Sequence, residues 1–242
     1  MNGRWPLMSL AGLCLLGLAT TVMGYYTNNY GDRGGGSAVL YKDVTETTTT
    51  DDHALFGSPM LVGNKLYFAP TAFASAAPSG DPNHPLTDQT NGTLTMQIWA
   101  PPGDYIKEIT FSEVGDWQLT GLGTAATQAQ VGGSLTIIDL DPDMWGWLDS
   151  PYEMVFPSGS LFTLPPARSG VFRGSRTINL EVYFITKLWF NLDNNLSTTC
   201  ESGTTSFIQK KGAQAFAVSV IIPEPATLCL LVLGLAFLRR RG

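Results

Sequence analysis

Apolar and polar residues alternate with a period of two along much of the chain. The segment from Thr93 to Ala100 alternates cleanly, with Leu94, Met96 and Ile98 on one face and threonine and glutamine on the other. The segment from Phe216 to Ile222 repeats this pattern. Because successive side chains of a β-strand point to opposite faces, the pattern predicts strands that each bury one face.

The longest alternating segment runs from Thr177 to Phe190 and predicts a central strand. A turn is expected after it, at Asp193-Asn194-Asn195. A hairpin is predicted around Gly63-Asn64, since both residues tolerate a positive φ. It joins Met60–Val62 to Lys65–Phe68. Other strands are expected at Val39–Tyr41, Ile106–Glu113, Ser134–Leu140, Met154–Phe156 and Ser206–Ile208.

The predicted strands specify a fold class. About eight or nine short strands separated by turns, with no helical periodicity between the termini, are typical of an antiparallel β-sandwich or a jelly-roll-like barrel. The 26 glycines and 15 prolines agree with many turns. We assign this all-β domain to residues 55–222. Residues 25–54 are expected to be a flexible lead-in with a threonine-rich linker at Thr45–Thr50, and Ala69–Pro85 a long loop.

Charge and cysteine content narrow the functional classes. The formal net charge is −6, which makes nucleic acid an unexpected partner because phosphate binding requires a basic face. Cys14 and Cys229 lie in the terminal segments, so Cys200 is the single cysteine of the predicted domain. An intramolecular disulfide is therefore not expected, and we expect Cys200 to be half-buried near a turn.

The N-terminus has the pattern of a secretory signal peptide. Arg4 supplies a positive charge, and a mostly apolar run follows from Leu7 to Val22. Small or permissive residues at Val22-Met23-Gly24 predict cleavage before Tyr25, so that residues 1–24 form a signal helix. Cleavage after Ala19 and an uncleaved N-terminal anchor are the alternatives.

The C-terminus, residues 223–242, has three parts in strict order. Pro223, Glu224 and Pro225 are followed by the apolar run Ala226–Leu238 and then by three arginines, Arg239, Arg240 and Arg241. The prolines predict extended, exposed peptide. A helix over 226–238 would be roughly 20 Å long, so it can anchor in a ~30 Å hydrocarbon core with help from its flanks. The arginines predict a cytoplasmic end, with the domain outside.

This terminal arrangement resembles the PEP-CTERM sorting signal of exported bacterial proteins. The resemblance implies recognition and processing by a membrane-embedded exosortase. An ordinary membrane tail is the alternative, and it leaves the Pro-Glu-Pro unexplained. Short sequence segments of the domain are also similar to segments in the domains of other PEP-CTERM proteins. That resemblance implies no particular activity. The segments are Leu55–Pro59, Leu66–Pro70 with Phe73, Glu113–Asp116, Leu192–Leu196 and Phe207–Lys211.

The candidate metal site is a row of carboxylates. Asp139, Asp141 and Asp143 alternate as a strand enters a turn, and three such groups can converge on Ca²⁺. The segment lacks the glycine and distal glutamate of an EF-hand loop. A solvated strand end is therefore the alternative interpretation.

The candidate sugar-binding residues are Trp145 and Trp147, whose flat faces can stack on sugar rings; packing between sheets is the alternative. Signals for catalysis are weak. No Gly-x-Ser-x-Gly occurs, and the domain has only His53 and His84 as histidines. Carboxylate pairs for glycoside hydrolysis would come from Glu108, Glu113, Asp116 and Glu181, which any acidic β protein offers.

These features predict an exported protein without catalytic activity. We expect it to be sorted by exosortase, anchored in the membrane as a precursor, and active in the cell envelope or extracellular matrix. A module that binds extracellular polysaccharide is the second hypothesis, and an envelope hydrolase the third.

Overall fold

The computed structural model describes residues 26–78, 86–141, 146–148, 151–166, 168–212 and 214–223. The signal helix predicted for residues 1–24 and the C-terminal helix predicted for residues 226–238 lie outside them. Among the described residues, no helix is long and apolar enough to span a membrane. The strands are β1 Tyr26–Gly34, β2 Leu40–Thr48, β3 Met60–Val62, β4 Lys65–Phe68, β5 Ala74–Pro78, β6 Thr87–Trp99, β7 Glu108–Gly121, β8 Gln128–Asp139, β9 Gly146–Trp147, β10 Tyr152–Glu153, β11 Leu161–Thr163, β12 Ser169–Asn179, β13 Lys187–Thr199, β14 Thr204–Lys210 and β15 Phe216–Ile221.

The strands form two antiparallel sheets that pack face to face. Sheet A has the order β1-β2-β6-β13-β8-β10, and β9 and β11 also pair with β8. Sheet B has the order β3-β4-β15-β7-β14-β5. β15 pairs with the first half of β7 and β14 with its second half, while β12 pairs along most of the length of β7. The all-β class and the antiparallel sandwich predicted from the alternation are confirmed.

The core lies between the sheets and is rich in aromatic rings. Phe56 packs at 5.2 Å from Phe73 and at 4.8 Å from Phe216, measured between ring centroids. Trp117 stacks on Phe162 at 4.6 Å in a second cluster. Such offset and edge contacts are favourable for aromatic pairs in addition to their burial. Because the domain has no disulfide within the described residues, this packing provides its stability.

Three of the strands predicted from alternation are confirmed. β6, β7 and β15 bury the predicted apolar faces, although the ends of β6 and β7 lie several residues from the predicted ones. β3 and β4 form the predicted hairpin, and Gly63 in its turn has a φ of 59°.

The predicted strand from Thr177 to Phe190 is wrong. β12 ends at Asn179 and β13 begins at Lys187, and a short 3-10 turn at Glu181–Tyr183 lies between them. The chain passes from sheet B to sheet A at this corner, so its residues belong to neither sheet. The predicted turn at Asp193-Asn194-Asn195 is also wrong, because these residues pair with β6 and β8 in the middle of β13.

The predicted flexible lead-in and threonine-rich linker are wrong as well. β1 pairs with β2, and β2 pairs with β6, so residues 26–34 and 40–48 form part of sheet A. The domain therefore includes Tyr26 rather than beginning at residue 55. Threonine is β-branched and fits a pleated sheet, which explains why a polar threonine tract forms a strand. The predicted loop Ala69–Pro85 likewise contains β5.

Candidate functional site

Three polar side chains meet between the two sheets in a cluster that we call the buried triad. It consists of Glu113 from β7, Lys210 from β14 and Asn194 from β13. Their exposed fractions are 3%, 1% and 3%, so all three are buried. Charged residues are rarely buried so completely unless they are paired.

Strand periodicity explains why the triad points inward. Glu113 follows Ile109 and Phe111 at alternate positions of β7, and both of these residues are fully buried. Lys210 is the second residue after the buried Ile208. Asn194 occupies the same phase of β13 as Leu192 and Leu196. Each member of the triad therefore replaces an apolar residue on an inner face.

The triad shares one carboxylate oxygen. Lys210 Nζ lies 2.8 Å from Oε2 of Glu113, and Asn194 Nδ2 donates a hydrogen bond to the same oxygen. Lys210 Nζ also donates to Oδ1 of Asn194. The other carboxylate oxygen, Oε1 of Glu113, is buried without a hydrogen-bond partner among the described residues. The amine, the amide and the carboxylate are thus in mutual contact.

Apolar groups enclose the lysine amine. Its Nζ lies 4.9 Å from the ring centroids of both Phe73 and Phe216, within range of a cation–π contact. Gly92 and Gly133 flank Asn194 on the neighbouring strands. A Cβ atom at Gly92 would lie 2.8 Å from the Phe56 ring and 2.9 Å from the Phe73 ring. Glycine at this position therefore leaves room for the Phe73 ring, which lies on the amine.

Burial changes the acid–base properties of Lys210. Desolvation lowers the pKa of its amine from the usual 10.5 to about 8, while the attraction of Glu113 acts in the opposite direction. Burial penalises the charged form of a lysine, so the neutral amine becomes accessible near physiological pH. A neutral amine carries the lone pair that makes it a nucleophile.

The three predicted metal ligands do not form one described cluster. Asp139 is buried at the end of β8, where its Oδ1 accepts a hydrogen bond of 2.9 Å from the backbone N of Asp141. Burial raises the pKa of Asp139. Asp141 accepts bonds of 2.7 Å from both the backbone N and Oγ1 of Thr186. Asp143 lies outside the described residues, so the Ca²⁺ site stays a prediction.

The predicted sugar-binding residues are described only in part. Trp147 belongs to β9, whose backbone pairs with Ile138 at an edge of sheet A. Trp145 lies outside the described residues, as does the side chain of Trp147. Polysaccharide binding through these residues stays a prediction.

The predicted sorting signal is also described only in part. Pro223 is the last described residue, so Glu224, Pro225, Arg239, Arg240 and Arg241 lie outside. Cys200 is buried, not half-buried as expected, and burial raises the pKa of its thiol. It follows the end of β13 directly, close to the predicted position beside a turn.

The carboxylates considered for glycoside hydrolysis have separate partners. Asp116 pairs with Lys211 at 2.6 Å, and Glu181 pairs with Lys107 at 3.0 Å. Glu113 belongs to the buried triad. Sequence reasoning missed Lys210 and Asn194 as members of a site. The signal that was available is their position in the apolar phase of a strand.

Comparisons with known proteins give no identification. No protein-family model matches the sequence, and neither does any curated protein. Among solved structures, the chain is similar to one described as a non-crystalline cellulose specific carbohydrate-binding module, CBM28. The identity is 10%, the TM-score is 0.23, and the match covers 64% of this chain and 81% of that one. A structure of infectious bursal disease virus Gx strain matches at 12% identity and a TM-score of 0.19, over 76% of this chain and 50% of that one. Both likenesses are too weak to support an argument about function.

Proposed function

We propose that this is an exported bacterial protein that exosortase recognises and processes at its C-terminus. Its β-sandwich acts in the cell envelope or extracellular matrix without catalysis. The observation that carries the proposal is the way the chain leaves the domain. β15 ends at Ile221, two residues before the Pro223-Glu224-Pro225 motif, so the sorting signal follows the folded domain without a long linker.

The end of the domain from which the tail departs exposes apolar side chains beside an ion pair between Lys107 and Glu181. Ile221 is paired with Glu108 at the start of β7, and Asn179 at the end of β12 pairs with the same residue. The corner that follows β12 exposes 75% of Val182 and 64% of Phe184. Exposed apolar groups that lie together are typical of surfaces that meet a membrane or a partner. This end is consistent with a domain held close to the bilayer by its tail.

The accessibility of the polar groups supports a function without catalysis. Glu113, Lys210 and Asn194 form a contiguous cluster of polar side chains, yet at most 3% of each is exposed. A catalytic group has to reach a bound substrate within about 3 Å. With so little exposed surface, these groups offer little contact to an external substrate.

The proposal is tested on the full chain in its native host. Changing Pro223, Glu224 and Pro225 to alanine leaves the apolar run and the arginines in place, so membrane insertion should persist. Processing should fail because the rigid, extended signature is gone. The altered protein is then expected to accumulate as a membrane-bound precursor, as determined by the mass of its C-terminus.

The matched control changes Arg239, Arg240 and Arg241 to serine and keeps the signature. Without charges to hold the short helix at the cytoplasmic face, the protein should be released unprocessed. A mature wild-type protein that still ends in three arginines and a glycine would contradict the proposal, since the tail would then act only as an anchor.

A further inference from the structure

We propose that Lys210 and Asn194 become joined by an intramolecular amide bond, formed by the folded protein itself with Glu113 as the catalytic residue. The bond would link the side-chain nitrogen of the lysine to the side-chain carbonyl carbon of the asparagine. It is a modification of the domain and is independent of the sorting function. The argument rests on the contacts of the buried triad.

The reacting atoms are already adjacent. Lys210 Nζ contacts Oδ1 of Asn194, and the carbonyl carbon that it would attack is one bond from that oxygen. Oε2 of Glu113 contacts both the Lys210 amine, at 2.8 Å, and the Asn194 amide nitrogen. One carboxylate therefore touches the nitrogen that loses a proton and the nitrogen that leaves. Groups held in this way react as if at very high concentration.

The reaction is balanced without an external reagent. The neutral amine of Lys210 adds to Cγ of Asn194, and Glu113 accepts the proton that the amine loses. The bond from Cγ to Nδ2 then breaks, and Glu113 returns the proton to the departing nitrogen, which leaves as ammonia. An amine and a primary amide become a secondary amide and ammonia. No electron donor or acceptor is needed.

The surroundings favour this reaction over a stable ion pair. Phe73 and Phe216 lie on the amine, and the ammonium form is penalised by the lack of water. Desolvation lowers the pKa of Lys210 to about 8, so a substantial neutral fraction exists at slightly alkaline pH. Oε1 of Glu113 is buried and lacks a hydrogen-bond partner among the described residues. Pairing with Lys210 and Asn194 thus leaves one oxygen of the carboxylate without a partner among the described residues.

The bond would connect the two layers of the sandwich. Asn194 lies in β13 of sheet A, and Lys210 lies at the end of β14 in sheet B. No disulfide performs this task within the described residues, where Cys200 is free. For an exported protein, a covalent link between the sheets resists unfolding independently of the redox state of the surroundings.

The decisive experiment uses the mass of one tryptic peptide. Trypsin cuts after lysine and arginine, and no such residue lies between Lys187 and Lys210. The full chain is expressed in an exporting bacterial host, purified in detergent, denatured and digested. A free Lys210 gives peptide 188–210 at its sequence mass. An amide-bonded Lys210 cannot be cut, so the expected product is peptide 188–211, about 17 Da lighter because ammonia has left.

Matched variants separate the proposed bond from other losses of ammonia. Glu113→Gln retains the shape of the side chain but cannot accept the proton, so peptide 188–210 should return at its sequence mass. Lys210→Met should remove the mass loss, whereas cyclisation of an asparagine onto its own backbone would persist in that variant. Fragmentation of the wild-type peptide should place the link between residues 194 and 210.

A stability measurement adds a second readout. The linked wild type should melt roughly 5–10 °C above Glu113→Gln, as expected for closing a loop of this size in a domain of this length. Wild-type peptide 188–210 at its full sequence mass, after purification of folded protein, would overturn the proposal. The triad would then be a buried, non-covalent ion pair.

Discussion

Two buried glutamates of the sandwich have opposite environments. Glu46 in β2 is 1% exposed, and its Oε1 accepts a hydrogen bond of 2.6 Å from the backbone N of Leu55. Its Oε2 accepts one from the hydroxyl of Tyr30. Glu113 in β7 is equally buried, yet its Oε2 receives both polar contacts and its Oε1 has none among the described residues. Both oxygens of Glu46 accept hydrogen bonds, whereas a single oxygen of Glu113 holds both of its side-chain partners.

The difference separates a structural carboxylate from a reactive one. Burial raises the pKa of Glu46, while Tyr30 and the backbone N–H groups of Leu55–Gly57 act against this rise. Glu46 fixes the loop after β2 through a backbone donor and does not bring an amine and an amide together. Glu113 instead faces an amine and an amide that can react with one another. Burial alone therefore does not mark a reactive group, but the nature of its partners does.

The largest expected effect comes from truncating each glutamate to alanine. Glu113→Ala should lower the free energy of unfolding by roughly 3–5 kcal/mol, because it leaves the Lys210 amine buried without its partner. Glu46→Ala should cost roughly 1–3 kcal/mol, since it leaves buried donors unsatisfied without stranding a charge. Urea unfolding of both variants measures the difference.

A mass measurement sharpens the same comparison. Glu46→Ala should retain the mass loss in peptide 188–211, and Glu113→Ala should abolish it. Equal behaviour of the two variants in both measurements would show that the glutamates play the same structural role.

A smaller effect is expected in the pH dependence of stability. Asn194→Ala keeps the amine of Lys210 free, with a folded pKa of about 8 against the usual 10.5. Between these two values the unfolded chain binds more protons than the folded one, so the free energy of unfolding should rise with pH. Below both values the rise should be absent, because both states are protonated.

The wild type should lack this rise, since an amide nitrogen does not titrate in that range. The double variant Asn194→Ala with Lys210→Met is the control, and its curve should be flat where that of the single variant rises. A wild type that shows the same rise as Asn194→Ala would mean that its amine is free.

Local alternation predicted much of the fold, and its failures have physical causes. β6, β7 and β15 follow from the phase of their apolar residues, and the hairpin follows from Gly63-Asn64. The predicted strand at Thr177–Phe190 failed because Val182 and Phe184 continue the alternation through an exposed corner. An alternating pattern shows neither where the chain passes from one sheet to the other nor which apolar side chains are exposed.

The candidate site shows the same limit. Lys210 and Asn194 stand in apolar phases that a strict application of period two would place in the core. Their meeting with Glu113 depends on the order of strands, which brings together residues 97 and 81 positions apart in the sequence. Pairing over such separations is a property of the sheet topology. The alternation along the sequence does not reveal which strands become neighbours in a sheet.

The smallest expected effect concerns Asp141, which resembles Glu46 in its use of fixed donors. Asp141→Asn should lower the free energy of unfolding by about 1 kcal/mol in calcium-free buffer, because the amide keeps only one acceptor oxygen for the two donors of Thr186. Thr186→Val removes the hydroxyl donor of the same contact, so the two changes together should cost less than their sum. The measurement is urea unfolding with and without millimolar Ca²⁺. A cost that does not depend on Ca²⁺ assigns Asp141 to the turn alone. If Ca²⁺ raises the melting temperature of the wild type, and the joint change of Asp139, Asp141 and Asp143 to asparagine abolishes that rise, the same carboxylate also holds a cation.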